Sequence, residues 1–357
     1  MRPLPNISDI DRLLIVKTSS IGDVVHALPV VEQIKKANSR LVLGWLVKER
    51  CKGVLEGNPW IDHLHIIPRS LSYSAFRQLS HEVREIRYQC ALDMQGLFLS
   101  GAWTWLSSAP VRIGIDRNRE GNRCFLTHAV VAGKPCVDGV DRHAVDILFG
   151  FADALGVHGD HTDFAPQCYL ADGNSATVHA VADLRGPSGV LVALNVGASS
   201  RYKQWPTEHW AALARYLLEY RICLLFVGDR RDAEQVAAVK AQLPDDSAVL
   251  DLSGQTSLRQ LAAALQECDV VVTGDTGPMH LAVAVGTPTV ALFGSTNPVR
   301  TGPYGRRNIV LDRHLSCSPC YRKPTCDGRV DCMQTILPAE AFLAVRETLA
   351  SAGKWPS

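Results

Sequence analysis

The chain has 357 residues, with 37 Lys+Arg against 36 Asp+Glu, a formal charge of +1 and 46% hydrophobic residues. That length exceeds one ordinary core and fits two domains of about 150–200 residues each, and the near-neutral balance excludes a protein held mainly by nucleic-acid phosphates. Charged residues at 20% with apolar periodicity throughout exclude global disorder, no apolar run reaches the roughly 18–20 residues of a membrane span, and Asp9, Asp11 and Arg12 interrupt any signal-peptide pattern.

In chain order, Leu13–Val16 reads as a buried parallel strand and Val24–Ala37 as the helix after it. Leu41–Val47, His65–Ile67 and Ala91–Asp93 are further strands, with a helix over Tyr73–Ile86. Arg142–Leu155 carries apolar residues at helical spacing. A polar, turn-rich stretch, Ala171–Gly189, separates this series from a second one. There, Val190–Leu194, Ile222–Val227, Ala248–Leu250, Val270–Thr273 and Thr289–Phe293 read as strands. Helices over Thr207–Tyr220, Asp232–Gln242, Ser257–Glu267 and Met279–Val285 lie between them, and a last helix spans Ala339–Leu349. Strand–helix alternation implies mostly parallel sheets covered on both faces. Ligands of such sheets bind at the carboxyl ends of strands, so a cleft between two α/β domains is the expected site.

Three stretches carry residues suited to chemistry. The first is Lys17-Thr18-Ser19-Ser20-Ile21-Gly22-Asp23-Val24-Val25-His26, directly after the first strand. Asp23 falls where a helix N-cap would sit, and it serves either as a plain cap or as a base for a hydroxyl proton. No Gly-Lys-Ser/Thr follows at Walker spacing and there is no G-x-G-x-x-G, which argues against kinase and dehydrogenase chemistry. The second is Asn195–Pro206, where Ser199 and Ser200 offer hydroxyls to phosphate oxygens and Lys203 offers a compact positive charge. The third is Thr273-Gly274-Asp275-Thr276-Gly277-Pro278-Met279-His280, a glycine-rich turn feeding a helix near Pro278. Its exposed N–H groups and helix dipole suit a diphosphate, with His280 as a further donor.

No Asp-x-Asp stands at a strand end to hold a divalent metal. Lys203 and helix amides would then have to offset the charge of a phosphate leaving group. Of the eleven cysteines, Cys317, Cys320, Cys326 and Cys332 form C-x2-C-x5-C-x5-C. Four thiolates at this spacing suit a structural zinc or iron site, or stand as reduced cysteines in a loop. A four-cysteine site leaves no open position for catalysis.

The stretches KTSSIGDVVHALP, LDMQGLFLSG, NVGASSRYKQWP and GDTGPMHLAVAVGTPTVALFGSTNP, in that order, span nearly the whole chain. On them the chain resembles glycosyltransferase family 9, the ADP-heptose:lipopolysaccharide heptosyltransferases. The resemblance implies a GT-B fold, an α/β architecture of two Rossmann-like domains facing across a cleft. Residues 1–175 would form the acceptor-binding domain and 185–357 the nucleotide-sugar-binding domain. It implies inverting, metal-independent transfer of heptose from ADP-heptose, with no cofactor required for catalysis. Asp23 would be the base, and Ser199, Ser200 and Lys203 would hold the donor phosphates. Asp275, Thr276, Gly277 and His280 would seat the diphosphate and heptose, and Asp229 would lie near the ribose.

On the acceptor side, relatives that act on inner-core Kdo carry a lysine where this chain has Leu99. Arg112, Arg117, Arg119, Arg123 and Arg142, with His143, are the basic residues left to meet a lipid-linked anionic saccharide. The implied partners exclude nucleic acid. The expected location is cytoplasmic, with peripheral contact at the inner membrane. Two further readings stay open: a protein Ser/Thr heptosyltransferase, suggested by Leu99 and the cysteine segment, and a non-catalytic nucleotide-sugar-binding protein.

Overall fold

The computed structural model describes residues 3–115, 120–130, 136–137, 140–159, 161, 165–170, 176–185, 189–244, 248–321, 326 and 328–356. The chain divides into two compact units, Met1–Tyr169 and Leu170–Ser357.

The first unit holds β1 (Arg12–Val16), α1 (Ile21–Ala37), β2 (Val42–Lys48), β3 (His63–Ile67), α2 (Tyr73–Glu85), β4 (Cys90–Asp93), α3 (Phe98–Leu106), β5 (Val111–Ile115) and β6 (His128–Val130). A small antiparallel pair, β7 (Cys136–Val137) and β8 (Val140–Asp141), precedes α4 (Ala144–Leu148) and α5 (Gly150–Asp153). The six main strands form one parallel sheet in the order β3-β2-β1-β4-β5-β6. β1 and β4 read as unbroken apolar runs because helices cover both faces of the sheet. One layer of the core joins Leu14, Val16 and Leu46 to Leu79 and Val83 of α2 and Trp103 of α3. At its edge the Tyr88 hydroxyl meets His65 Nε2 at 2.8 Å. It lies over Gly44, where a Cβ would stand 1.8 Å from the hydroxyl oxygen.

The second unit repeats the plan. It runs through α6 (Ala176–Asp183), β9 (Leu191–Asn195), α7 (Thr207–Glu219), β10 (Cys223–Val227), α8 (Ala233–Lys240), β11 (Val249–Asp251), α9 (Leu258–Gln266), β12 (Val270–Gly274), α10 (Gly277–Ala284) and β13 (Thr289–Phe293). After these come α11 (Pro298–Thr301), β14 (Ile309–Asp312), α12 (Asp331–Gln334) and α13 (Pro338–Ser351). The parallel sheet has the order β11-β10-β9-β12-β13-β14. Its core packs Val192, Leu194, Phe226 and Val272 against Trp210 and Leu217 of α7 and Val345 and Leu349 of α13. In both sheets the strand order reverses beside the first strand, and that reversal leaves an opening at the carboxyl ends, between β1 and β4 and between β9 and β12.

Four expectations need correction. α1 begins at Ile21 and is capped by Ser20, so Asp23 is the third helical residue, not the N-cap. Ser-x-x-Asp is a reciprocal capping pattern, and the aspartate reaches back to the serine. The helix expected over Arg142–Leu155 is two short pieces, α4 and α5, split before Gly150. Val145, Leu148, Phe151 and Leu155 keep one buried stripe across the break. The turn-rich stretch Ala171–Gly189 contains α6, which buries Val178 and Val181. Finally, α3, β5, β6 and β14 were not expected. β5 and β14 are half-exposed strands without a clean apolar run, and α3 turns a mixed face inward (Ser100, Gly101, Trp103 and Thr104) while Phe98, Leu99 and Trp105 stand exposed. Among the described residues, no helix is long and apolar enough to cross a membrane.

Candidate active site

In the first unit, the turn after β1 presents Asp23. Its Oδ2 accepts from the Ser20 backbone N–H at 2.8 Å and from the Ser20 hydroxyl at 2.9 Å. Its Oδ1 lies 3.7 Å from Lys17 Nζ, and the aspartate side chain is 45% exposed. A carboxylate with one oxygen fixed and partial access to solvent can take a proton from a bound hydroxyl. Burial pushes the Cys51 thiol up, and the Asp23 carboxylate adds a smaller push in the same direction, so Asp23 lies near the Glu49–Val54 helical turn. One turn further along α1, His26 meets His143 edge to face at 5.2 Å. Arg142, next in sequence to His143, donates from its guanidinium to the Asp146 carbonyl at 3.2 Å.

Arg112 is placed differently. It lies at the start of β5, and its guanidinium donates to the carbonyls of Phe125 and Ala109 at 2.7 and 2.8 Å. The start of a parallel strand is the end away from Asp23, so the structure does not bring Arg112 to that carboxylate. Arg117 and Arg119 lie outside the described residues, and Arg123 is exposed beside the Asn122–Phe125 turn. Leu99 stands half exposed in the first turn of α3.

In the second unit, the loop after β9 and the turn after β12 converge. Lys203 Nζ donates to Asp275 Oδ2 at 2.6 Å and approaches the Asp275 carbonyl at 3.2 Å. Asp275 is buried and His280 Nε2 lies 4.0 Å from its Oδ1. Asn195, at the end of β9, joins the two segments: its amide nitrogen donates to Thr273 Oγ1 and Thr276 Oγ1, both at 2.9 Å. Thr276 stands at the N-cap position of α10, and with Pro278 lacking an N–H the first-turn donors next to the Lys203–Asp275 pair are those of Gly277 and Met279. Ser200 starts the Arg201–Lys203 turn and accepts from the Tyr202 N–H at 3.4 Å, while Ser199 is exposed. Trp205 closes the loop, buried and donating to the Ile336 carbonyl at 2.9 Å. A basic side chain, two hydroxyls and a helix N-terminus at one strand reversal can hold a diphosphate.

Asp229 follows β10 and is exposed. Its hydrogen bonds with Arg231 hold its carboxyl below the usual range. Asp232, which the sequence did not single out, lies deeper, accepting from the Asp229 N–H at 2.8 Å. A Cβ on Gly197 would stand 2.0 Å from the Asp232 carboxyl, so that glycine lets the second acid reach the β9 loop. Burial pushes the Asp232 carboxyl up. Lys17, Gln95 and Asn195 were also missed as separate roles, since their partners lie about 76 to 81 positions away.

The four grouped cysteines lie near enough to one another that Cys317, Cys320 and Cys326 all act on the Cys332 thiol. Among the described residues, no three His, Cys, Asp or Glu side chains cluster closely enough to hold a metal ion. Cys332 is buried against Gly294, where a Cβ would stand 2.8 Å from its sulfur, whereas Cys317, Cys320 and Cys326 are partly exposed. Burial first, then the neighbouring thiols, pushes Cys332 up to about 11.

The model of glycosyltransferase family 9 (heptosyltransferase) matches residues 76–330. Lipopolysaccharide heptosyltransferase 1 of Pseudomonas aeruginosa is 28% identical, over 95% of this chain and 99% of its own length. A solved family 9 glycosyltransferase from Veillonella parvula superposes with a TM-score of 0.80 at 24% identity, covering 96% of this chain and 97% of that one. ADP-heptose lipopolysaccharide heptosyltransferase II of Escherichia coli gives 0.78 at 22%, covering 96% and 99%. The iron-containing dodecameric glycosyltransferase TibC of enterotoxigenic E. coli gives 0.58 at 13%, covering 98% and 78%. These likenesses fix the fold as GT-B, and a family model covering most of the chain, with a relative matched almost end to end, fixes the lineage. The chain belongs to glycosyltransferase family 9, the heptosyltransferases, and is an enzyme of sugar transfer.

Proposed function

We propose that this enzyme transfers heptose from ADP-heptose to the inner core of a lipopolysaccharide, with inversion at the anomeric carbon and without a catalytic metal. The observation that carries the reading is the pair of partly exposed Lys203 with buried Asp275 beside the α10 N-terminus, at a strand reversal where a diphosphate is expected. Asp275 holds the Lys203 ammonium in place. Lys203, Ser199, Ser200, Thr276, the Gly277 N–H and His280 bind the diphosphate and sugar, and an acid of the Asp229–Asp232 turn meets the ribose. Asp23 takes the proton of the acceptor hydroxyl as its oxygen bonds to the anomeric carbon and the bond to ADP breaks. The charge left on ADP is met by Lys203 and the helix N–H groups. Arg142, with Arg117, Arg119 and Arg123, receives the anionic saccharide. The enzyme acts as a cytoplasmic protein that meets its lipid-linked acceptor at the membrane surface.

Isothermal titration with ADP tests the division of labour. Asp23→Ala keeps ADP affinity within about 2-fold, and Lys203→Met weakens it by about 10-fold or more, the loss expected for a charge-assisted contact. Equal loss in both variants would place Asp23 in donor binding and remove it as base.

A second reading, transfer to a protein Ser or Thr hydroxyl, draws on Leu99, the cysteine segment and the likeness to TibC. Under it, a co-expressed surface protein gains heptose by intact mass and the purified enzyme carries stoichiometric iron. Absence of both leaves the saccharide acceptor.

A further inference from the structure

Resting on the reading of Asp23 as the base, we infer that Gln95 and Lys17 are its positioning residues. The turn between β4 and α3 is the platform on which they stand. The Gln95 side-chain oxygen accepts two consecutive backbone N–H groups, of Thr18 and Ser19, each at 3.1 Å. Those groups belong to the turn from β1 into α1, which carries Asp23. From the other side, Lys17 Nζ donates to the Met94 carbonyl at 2.9 Å and stands 3.7 Å from Asp23 Oδ1. The Lys17 side chain is only 7% exposed, so this lysine is not a solvated surface charge. Trp45 Nε1 fixes the Lys17 carbonyl at 3.1 Å, and the Lys48 N–H fixes that of Thr18 at 3.1 Å.

The platform itself is built from below. Asp93 is fully buried at the end of β4, and its Oδ1 accepts the N–H groups of Gln95 at 3.1 Å and Gly96 at 2.9 Å. Gly96 turns the chain at φ +70°, a conformation that favours glycine. Asp93, Gln95, Lys17 and Asp23 thus form one run of contacts between two adjacent strand ends, joining segments that are far apart in sequence. A base must lie within about 2.6–3.2 Å of the proton it takes, and misplacement by about 1 Å costs roughly 100-fold in rate. Asp23 is half-exposed, so its direction is set by its own turn, and Gln95 and Lys17 hold that turn. Glutamine suits the position because it is a long acceptor that adds no second negative charge beside the base.

The test follows ADP release from ADP-heptose by the full-length protein with Kdo2-lipid A present, which counts transfer to acceptor or to water. Gln95→Met is expected to lower kcat by about 10- to 100-fold with KM for ADP-heptose unchanged. That loss should vanish in an Asp23→Ala background, because Gln95 acts only through the base. A folded Gln95→Met with wild-type kcat overturns the inference, and so does an equal loss with and without Asp23. Wild-type turnover in Asp23→Ala alone instead overturns the reading of the base. If circular dichroism shows Gln95→Met unfolded, Lys17→Met serves in the same comparison. Loss of the folded state in both variants makes the pair structural and also overturns the inference.

Discussion

Asp23 divides its two oxygens between Ser20 and Lys17. Oδ2 completes the start of α1 through Ser20, and Oδ1 lies toward Lys17. Lys203 is paired in the opposite sense, its ammonium tied to a buried aspartate. Away from both, His65 shows burial outweighing the opposing pull of the Glu82 carboxylate. Desolvation, with a smaller contribution from His63, lowers it to about 4 from the ordinary 6.5. The folded chain then refuses a proton that the unfolded chain accepts, so stability is full above about pH 6.5 and falls as pH drops toward 4. The displacement corresponds to about 3 kcal/mol. Urea unfolding at pH 7, 5.5 and 4 should show that loss, and His65→Gln should flatten it. An unchanged slope in the variant would place the acid sensitivity elsewhere.

At the scale of elements, Asp23 and Gln95 follow the first and fourth strands of the first unit, and Lys203 and Asp275 follow the first and fourth of the second. Strands buried on both faces are legible as apolar runs, which is why Leu13–Val16 and Thr289–Phe293 are found almost to the residue. The turns after them are legible because glycine, a capping hydroxyl and an N1 proline are local signals. What those turns are tied to is not local. Gln95 reads as one polar residue in a loop until the sheet sets β1 beside β4 and brings Thr18 to it. Asn195 likewise acquires a role only when β12 pairs with β9. Arg112 fails in the other direction: its charge is legible, but its strand position sends the guanidinium to two carbonyls. The cysteine spacing is equally plain in sequence, but that Cys332 is buried against Gly294 while its neighbouring thiols stay partly exposed is not.

Over the whole molecule, the second unit is closed at its ends by a single acid. Asp269 Oδ2 accepts from Arg185 Nη1 and the Leu191 N–H, both at 2.9 Å, and its Oδ1 accepts from Lys354 Nζ at 2.6 Å. The side chain of Asp269 is 1% exposed, so the segment before β9 and the tail after α13 meet on a buried charge. The tail is backed by Trp355 packing on Tyr220 and Phe342 at 5.0 and 5.7 Å. Arg185 and Lys354 are 31% and 54% exposed, so the main loss on removing Asp269 is the buried Leu191 N–H left without this acceptor, at about 1–3 kcal/mol. Asp269→Ala should therefore lower the melting temperature and speed amide exchange at Leu191 and along β9. Wild-type exchange there would show that the tail is held by its aromatic contacts alone.

The measurement closest to the central claim is mass spectrometry of Kdo2-lipid A incubated with ADP-heptose and either the wild-type enzyme or Asp23→Ala. The account predicts one heptose increment with the wild type and none with the variant, which still binds ADP. An unmodified acceptor with a wild-type enzyme that binds ADP-heptose tightly would contradict the proposed acceptor. A full increment from Asp23→Ala would contradict the proposed base.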